Sequence, residues 1–179
     1  TIVAQTTPPG TGGISIVRIS GPGASLIGNK LTNKKEKFYI KKPTLFNIYS
    51  RQKSKIDRAM VTFYKGPHSY TGEDIVEVAC HGNPIIVREI IKTACKNGAR
   101  SPNPGEFTMR SFLNGKMDLI QAEAVASLIG AKSLTAAKIN NKVLSGGLSK
   151  HIKKLKDNLI LLVSYLEYEL DVSEKNTSK

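Results

Sequence analysis

Tryptophan is missing from this chain of 179 residues, and cysteine occurs only twice, as Cys80 and Cys95. The two thiols could pair once, but they cannot form a disulfide scaffold. The fold must therefore rest on a hydrophobic core, and a reducing, cytoplasmic compartment is the default expectation. Histidine is scarce too. Cys80 adjoins His81, but His68 and His151 stand at no ligand spacing from them, which argues against a metal centre. No run of apolar residues reaches the roughly eighteen needed to cross a bilayer. The longest, "LILLVSYL" near the end, is short and flanked by charge. The opening "TIVAQTTPPG" has no basic segment followed by an apolar one, so no signal peptide is expected. Acid is in short supply as well, with 14 Asp and Glu against 27 Lys and Arg.

What is present suits an ordinary folded protein. Hydrophobic residues make up 40% and charged residues 23%, enough for one good core, or one domain and part of another. The net charge of +13 is unevenly placed. Between residues 30 and 58, Lys30, Lys34, Lys35, Lys37, Lys41, Lys42, Arg51, Lys53, Lys55 and Arg58 face only Glu36 and Asp57. Lys132 to Lys156 contains no acid, after which Asp157, Glu167, Glu169, Asp171 and Glu174 turn the tail acidic. Such blocks can hold a polyanion; equally, lysines of this kind decorate solvated faces, and there is little aromatic interleaving for base stacking.

Periodicity divides the chain in two. "GGISIVRIS" (12–20) is rich in β-branched residues and predicts a strand, and "GPGASLIGNKLT" a short helix after a Gly-Pro turn. "TLFNIYS" and "IDRAMVTFYK" predict a hairpin joined by "RQKSK"; "GPHSYTG" is a loop and "EDIVEVAC" a strand. A helix begins near Asn83-Pro84 and stops at Asn97-Gly98. This first part mixes strands and helices as an α+β fold. Beyond residue 105 the pattern is helical: "GEFTMRSFLNG", then "DLIQAEAVASLIGA" with Asp118 as N-cap and Gln121 at the capping-box position, then "SLTAAKINNKVLSG". A long final helix carries an apolar stripe at Leu148, Ile152, Leu155, Leu159, Val163, Leu166 and Leu170. That face needs partners, from more helices or another subunit.

Two strands contain an ion where an apolar residue is expected. Arg18 shares a face with Ile14 and Ile16, and Glu77 with Ile75 and Ala79. Charges in such places need partners. Either the two neutralise each other or another buried group, or both line a ligand pocket, where a carboxylate accepts N–H bonds from a flat heterocycle and a cation holds a carbonyl or carboxylate. Two nucleotide-binding look-alikes fail. "GASLIGNKL" lacks the terminal Gly-Lys-Ser/Thr of a phosphate loop, and "NKKE" has Glu where guanine recognition needs Asp. The stretch "SPNPGEFTMRSFLNGKMDLIQAEAV" (101–125) remains, a loop-to-helix junction carrying Glu106, Phe107, Arg110, Phe112, Lys116 and Asp118, more polar chemistry than a helix cap requires.

Three segments in order, "TIVAQTTPPGTGGISIVRISG", "GPHSYTGEDIVEVACHGNP" and "PGEFTMRSFLNGKMDLIQAEAVASLI", resemble the N-terminal part of the MnmE/TrmE family of tRNA-modification GTPases. The resemblance covers nearly the whole chain. It implies an N-terminal tetrahydrofolate-binding and dimerisation domain over residues 1–116, similar to the folate-binding domain of aminomethyltransferases, and the opening helices of an all-α domain over 117–179. The implied cofactor is a tetrahydrofolate, as the 5-formyl or another one-carbon form. The implied partners are a second copy of the chain, a flavoprotein of the MnmG/GidA type and tRNA, whose wobble uridine is modified at C5; no membrane is involved. The family's GTPase domain, which uses GTP, Mg and K, has no counterpart in these residues, so the chain resembles a fragment without catalytic residues of its own.

Carried over by position, the implied folate contacts are Arg18, Glu77 and Lys116, with Arg110, Glu106 and Tyr70 around them. Glu106 can also be read as a helix-start carboxylate near the dipole. Glu77 suits the pterin's amide and amine N–H groups, and the two cations suit its acceptors or the glutamyl tail. Thr11, Asn83 and the weak "VSEKN" segment depart from the family's pattern. A stand-alone aminomethyltransferase-like enzyme and a basic RNA-binding module are the alternatives. The helical "QAEAVASLI" argues against the first, and the second predicts salt-dependent RNA binding through residues 30–58.

Overall fold

A computed structural model describes residues 1–34 and 38–177, with side-chain surroundings as far as Leu170. Lys35, Glu36 and Lys37 of the basic run lie outside the described residues, as do the side chains of Asp171, Glu174 and the "VSEKN" segment. The chain forms two compact units, Thr1–Lys116 and Met117–Lys179.

The first unit is built on a five-stranded antiparallel sheet in the order β1-β2-β5-β4-β3. Its strands are β1 (Ile2–Gln5), β2 (Gly12–Ser20), β3 (Thr44–Tyr49), β4 (Lys55–Tyr64) and β5 (Ile75–Gly82). Helices α1 (Ala24–Thr32) and α2 (Pro84–Lys96) pack on the sheet and on each other. Strand alternation decides what they cover. Val17 and Ile19 of β2, Ala59, Val61 and Phe63 of β4, and Val76, Val78 and Cys80 of β5 meet Ile27 and Leu31 of α1 and Val87 and Ile90 of α2 in one core. The intervening residues, among them Ile16, Arg18, Thr62, Tyr64, Glu77 and Ala79, occupy the sheet's other face and are only partly buried.

The elements of the first unit follow the expected pattern, with one addition. β1 was not anticipated. It is an edge strand of four residues that pairs with β2 on one side, while the chain leaving α2 runs beside it on the other. There Val3 N–H donates to the Arg100 carbonyl (2.9 Å) and Arg100 N–H to the Thr1 carbonyl (3.1 Å), which brings residues 100–108 to the open side of the sheet edge. Helix α2 starts where expected. The Asn83 side chain caps it by accepting from Ile85 N–H at 2.8 Å. Gly82, just before it, has no room for a side chain because the Gly12 carbonyl sits where a Cβ would be.

The short helix α3 (Glu106–Leu113) completes the first unit. The second unit holds α4 (Leu119–Ile129), α5 (Leu134–Leu144) and α6 (Gly147–Thr177). Asp118 and Gln121 form the expected capping box at α4. The expected continuation into α5 is broken at Ala131-Lys132, and Ser133 starts a new helix by accepting from Ala136 N–H. On α6, the stripe from Leu148 to Leu166 stays between 43% and 62% exposed. No helix among the described residues is long and apolar enough to cross a membrane.

Candidate binding site on the open face of the sheet

Arg18 and Glu77 stand directly opposite each other across the β2–β5 pair. Arg18 Nε donates to Glu77 Oε1 at 2.8 Å, and Nη2 approaches the same oxygen at 2.7 Å. The two strand charges therefore neutralise each other, and both remain about one-fifth exposed, at 22% and 20%. An ion pair buried in a core would be shielded on all sides; this one lies under an open face. Glu77 Oε2 takes neither of the Arg18 contacts.

Aromatic groups surround the pair. The Arg18 guanidinium lies 5.1 Å from the Tyr70 ring centre and 5.7 Å from that of Phe107, within cation–π range. Tyr64, one strand over, hydrogen-bonds Glu77; burial, and then the nearby carboxylate, push its hydroxyl above the ordinary value. On the other side, Ala4 is the cross-strand partner of Arg18. Ala4, Gln5 and Thr6 line a cleft of about 450 Å³ with residues 102–108, including Phe107.

A second group of charges supports these rings. Glu106, at the first position of α3, is almost fully buried, with a side chain 4% exposed. Its carboxylate accepts from Arg100, from Asn103 N–H (2.8 Å) and from Arg110 Nη2 (2.8 Å). Arg100, the Asn103 amide and Arg110 together hold its carboxyl far below the ordinary range. Arg110 Nη1 also donates to both oxygens of Glu73, at 3.1 and 2.8 Å. Glu73 in turn accepts from Ser20 Oγ of β2 at 2.8 Å. Two cations and two anions thus balance within one network.

Of the three residues expected to bind ligand, the structure brings Arg18 and Glu77 together. Neither of the two makes a hydrogen bond or ion pair with Lys116 among the described residues. Its stem runs beside Gly72, in the same loop that carries Tyr70, and it makes no ion pair among the described residues. Gly72 has φ +77°, and a Cβ there would press on Asn114 and Lys116. Glu106 is more than a dipole-facing carboxylate, and its spacing of four from Arg110 was a legible signal. Tyr64, Glu73 and Ser20 were missed. Tyr64 was recoverable from strand alternation, whereas Glu73 gave no signal inside a polar loop. The Cys80-His81 pair points to two different surroundings. Cys80 is buried and its thiol is pushed up to about 11, chiefly by burial, while His81 Nδ1 pairs with Asp57 at 2.7 Å. Among the described residues no group of His, Cys, Asp and Glu could hold a metal.

Fold and site define a class: an α+β sheet domain with a partly exposed ion pair among aromatic rings on its uncovered face, followed in sequence by a helical unit. The chain belongs to the family described as the GTP-binding protein TrmE N-terminus, whose pattern matches residues 1–116, and residues 119–179 match the MnmE helical domain. Over 175 residues, 98% of this chain, it is 51% identical to the tRNA modification GTPase MnmE of Francisella philomiragia and 46% identical to that of Legionella pneumophila. It spans 38% and 39% of the length of those two relatives, so it corresponds to their N-terminal region.

Proposed function

We propose that this chain binds a tetrahydrofolate at the Arg18–Glu77 pair and dimerises, as the N-terminal region of a GTPase that modifies the wobble uridine of tRNA at C5. The observation that carries the folate reading is an ion pair left accessible on an open sheet face among three aromatic side chains. A core salt bridge needs no such access. A pterin is flat, with N–H donors along one edge, so the Glu77 carboxylate can accept from it while Tyr70 or Phe107 meets its face. Arg18 keeps Glu77 ionised and adds donors for the ligand's acceptors. In this reading Lys116, whose stem runs beside Gly72 in the loop that carries Tyr70, serves the anionic glutamyl tail. When bound, the folate supplies a one-carbon unit. GTP hydrolysis with Mg and K, and transfer of reducing equivalents by an MnmG/GidA-type flavoprotein, belong to other parts of the machinery, in the cytoplasm.

The test is calorimetric titration of the 179-residue chain with 5-formyltetrahydrofolate. Binding by the parent with loss in Glu77→Ala is the expected result. A folded, dimeric parent that gives no heat overturns the reading.

A further inference from the structure

The aromatic side chains beside Arg18 come from two segments that are not adjacent in sequence: Tyr70 from the loop before β5, and Phe107 from α3. We propose that Arg110 is a positioning residue for the site, because among the described residues it is the one side chain that ties both segments to each other through an ionic fork. From α3 it reaches Glu73 in the loop with Nη1 and Glu106 at the helix start with Nη2 and Nε. Its side chain is 17% exposed, so the contacts are partly shielded from solvent.

The surrounding hydrogen bonds convert that tie into ring positions. Ser111 Oγ donates to the Tyr70 carbonyl at 2.7 Å, and the Tyr70 hydroxyl meets Thr108 Oγ1 at 3.0 Å. Tyr70 is thus gripped by α3 at its backbone and at its tip. Phe107 sits between the two network residues Glu106 and Arg110 on the same helix. On the sheet side, Ser20 Oγ holds Glu73, and Ser20 is two residues from Arg18 on the same face of β2. If α3 moves relative to the loop, Phe107 goes with the helix and Tyr70 loses its two holds on α3, so neither ring keeps its place beside the guanidinium. A lysine at position 110 keeps the charge but has one ammonium, which cannot reproduce a planar fork reaching two carboxylates.

This inference deepens the folate reading and rests on it for its functional meaning, but its first test needs no ligand. Protons over an aromatic face are shifted upfield, so the Arg18 Nε–H resonance, assigned by its loss in Arg18→Lys, reports ring position in the free protein. The expected result is that Arg110→Lys, or Glu73→Gln should that variant fail to fold, moves this resonance downfield. Affinity for 5-formyltetrahydrofolate should fall about tenfold, as for loss of the paired cation–π contacts. Arg100→Ala, which breaks only the solvent-exposed side of the Glu106 network, should lower the melting temperature and leave the resonance in place. An unmoved resonance in folded Arg110→Lys and Glu73→Gln overturns the positioning role and leaves a purely structural clamp. A moved resonance in a protein that binds no folate upholds the positioning and defeats the folate reading instead.

Discussion

At the scale of single residues, Glu106 is the group whose environment differs most from water. Its carboxylate is buried at the start of α3, and Arg100, the Asn103 amide and Arg110 all favour its ionised form. The sign of the pH effect follows. A carboxyl whose pKa is lowered on folding contributes its full stabilisation above the unfolded value, here 4.5, and loses it progressively as pH falls towards the much lower folded value. Glu106→Gln keeps the shape and removes the charge, leaving Arg110 with one ionic partner. We expect it to cost about 2 kcal/mol near neutral pH. The gap in urea midpoint between parent and variant should narrow steadily at pH values below about 4.5, because protonation does to the parent what the substitution did to the variant. A gap of constant size down to about pH 2.5 would show that the charge of Glu106 does not carry the stabilisation.

At the scale of elements, helix α2 is fixed at its start by the side chain of Asn83. Asn83 has extended backbone angles (φ −109°, ψ 123°), caps Ile85 N–H, and is followed by proline at the first helical position. Asn83→Ala should therefore lower stability by about 1 kcal/mol, and Asn83→Gly by only a few tenths. Chemical denaturation of the three proteins distinguishes these outcomes, and equal stabilities would mean the cap is idle. Helix signals of this kind are local, which is why α2, the Asp118–Gln121 capping box and the central strands could be read from the sequence. β1 could not, because four residues carry too little periodicity and what makes them a strand is the β2 partner, whose Ser20 to Val17 face Ile2 to Gln5. The candidate site divides the same way. That Arg18 and Glu77 interrupt apolar strands is visible in each strand alone. That they lie opposite each other depends on the β2–β5 pairing, which joins residues 59 positions apart, and no local pattern encodes it. Likewise Glu73 is one more polar residue in "GPHSYTGED" until Arg110 arrives from α3.

At the scale of the whole molecule, the excess of positive charge has a location. Lys30, Arg51 and Lys53 line one hollow of about 190 Å³, with Asn33, Tyr49, Ser50 and Asn97 between them and no acid. Lys30 has an ordinary explanation, since it sits in the last turn of α1, where a cation complements the helix dipole. Arg51 and Lys53 have no such role, because they lie in the β3–β4 turn. The acid nearest them in sequence, Asp57, is buried and turned to His81, with Oδ2 accepting from His81 N–H at 2.9 Å. Among the described residues, no acid on the hollow compensates these charges. If RNA phosphates contact this face, the logarithm of the binding constant falls linearly with the logarithm of salt concentration, by about 0.7 to 0.9 per phosphate neutralised. Replacing Lys30, Arg51 and Lys53 by alanine should then reduce that slope by about 2 to 3 in a titration with tRNA. The same triple variant should bind 5-formyltetrahydrofolate as the parent does, because the hollow and the Arg18–Glu77 face share no lining residue. An unchanged slope would mean that these three cations only decorate a solvated surface. A lost folate affinity would mean that the basic face, and not Lys116, holds the ligand's anionic tail.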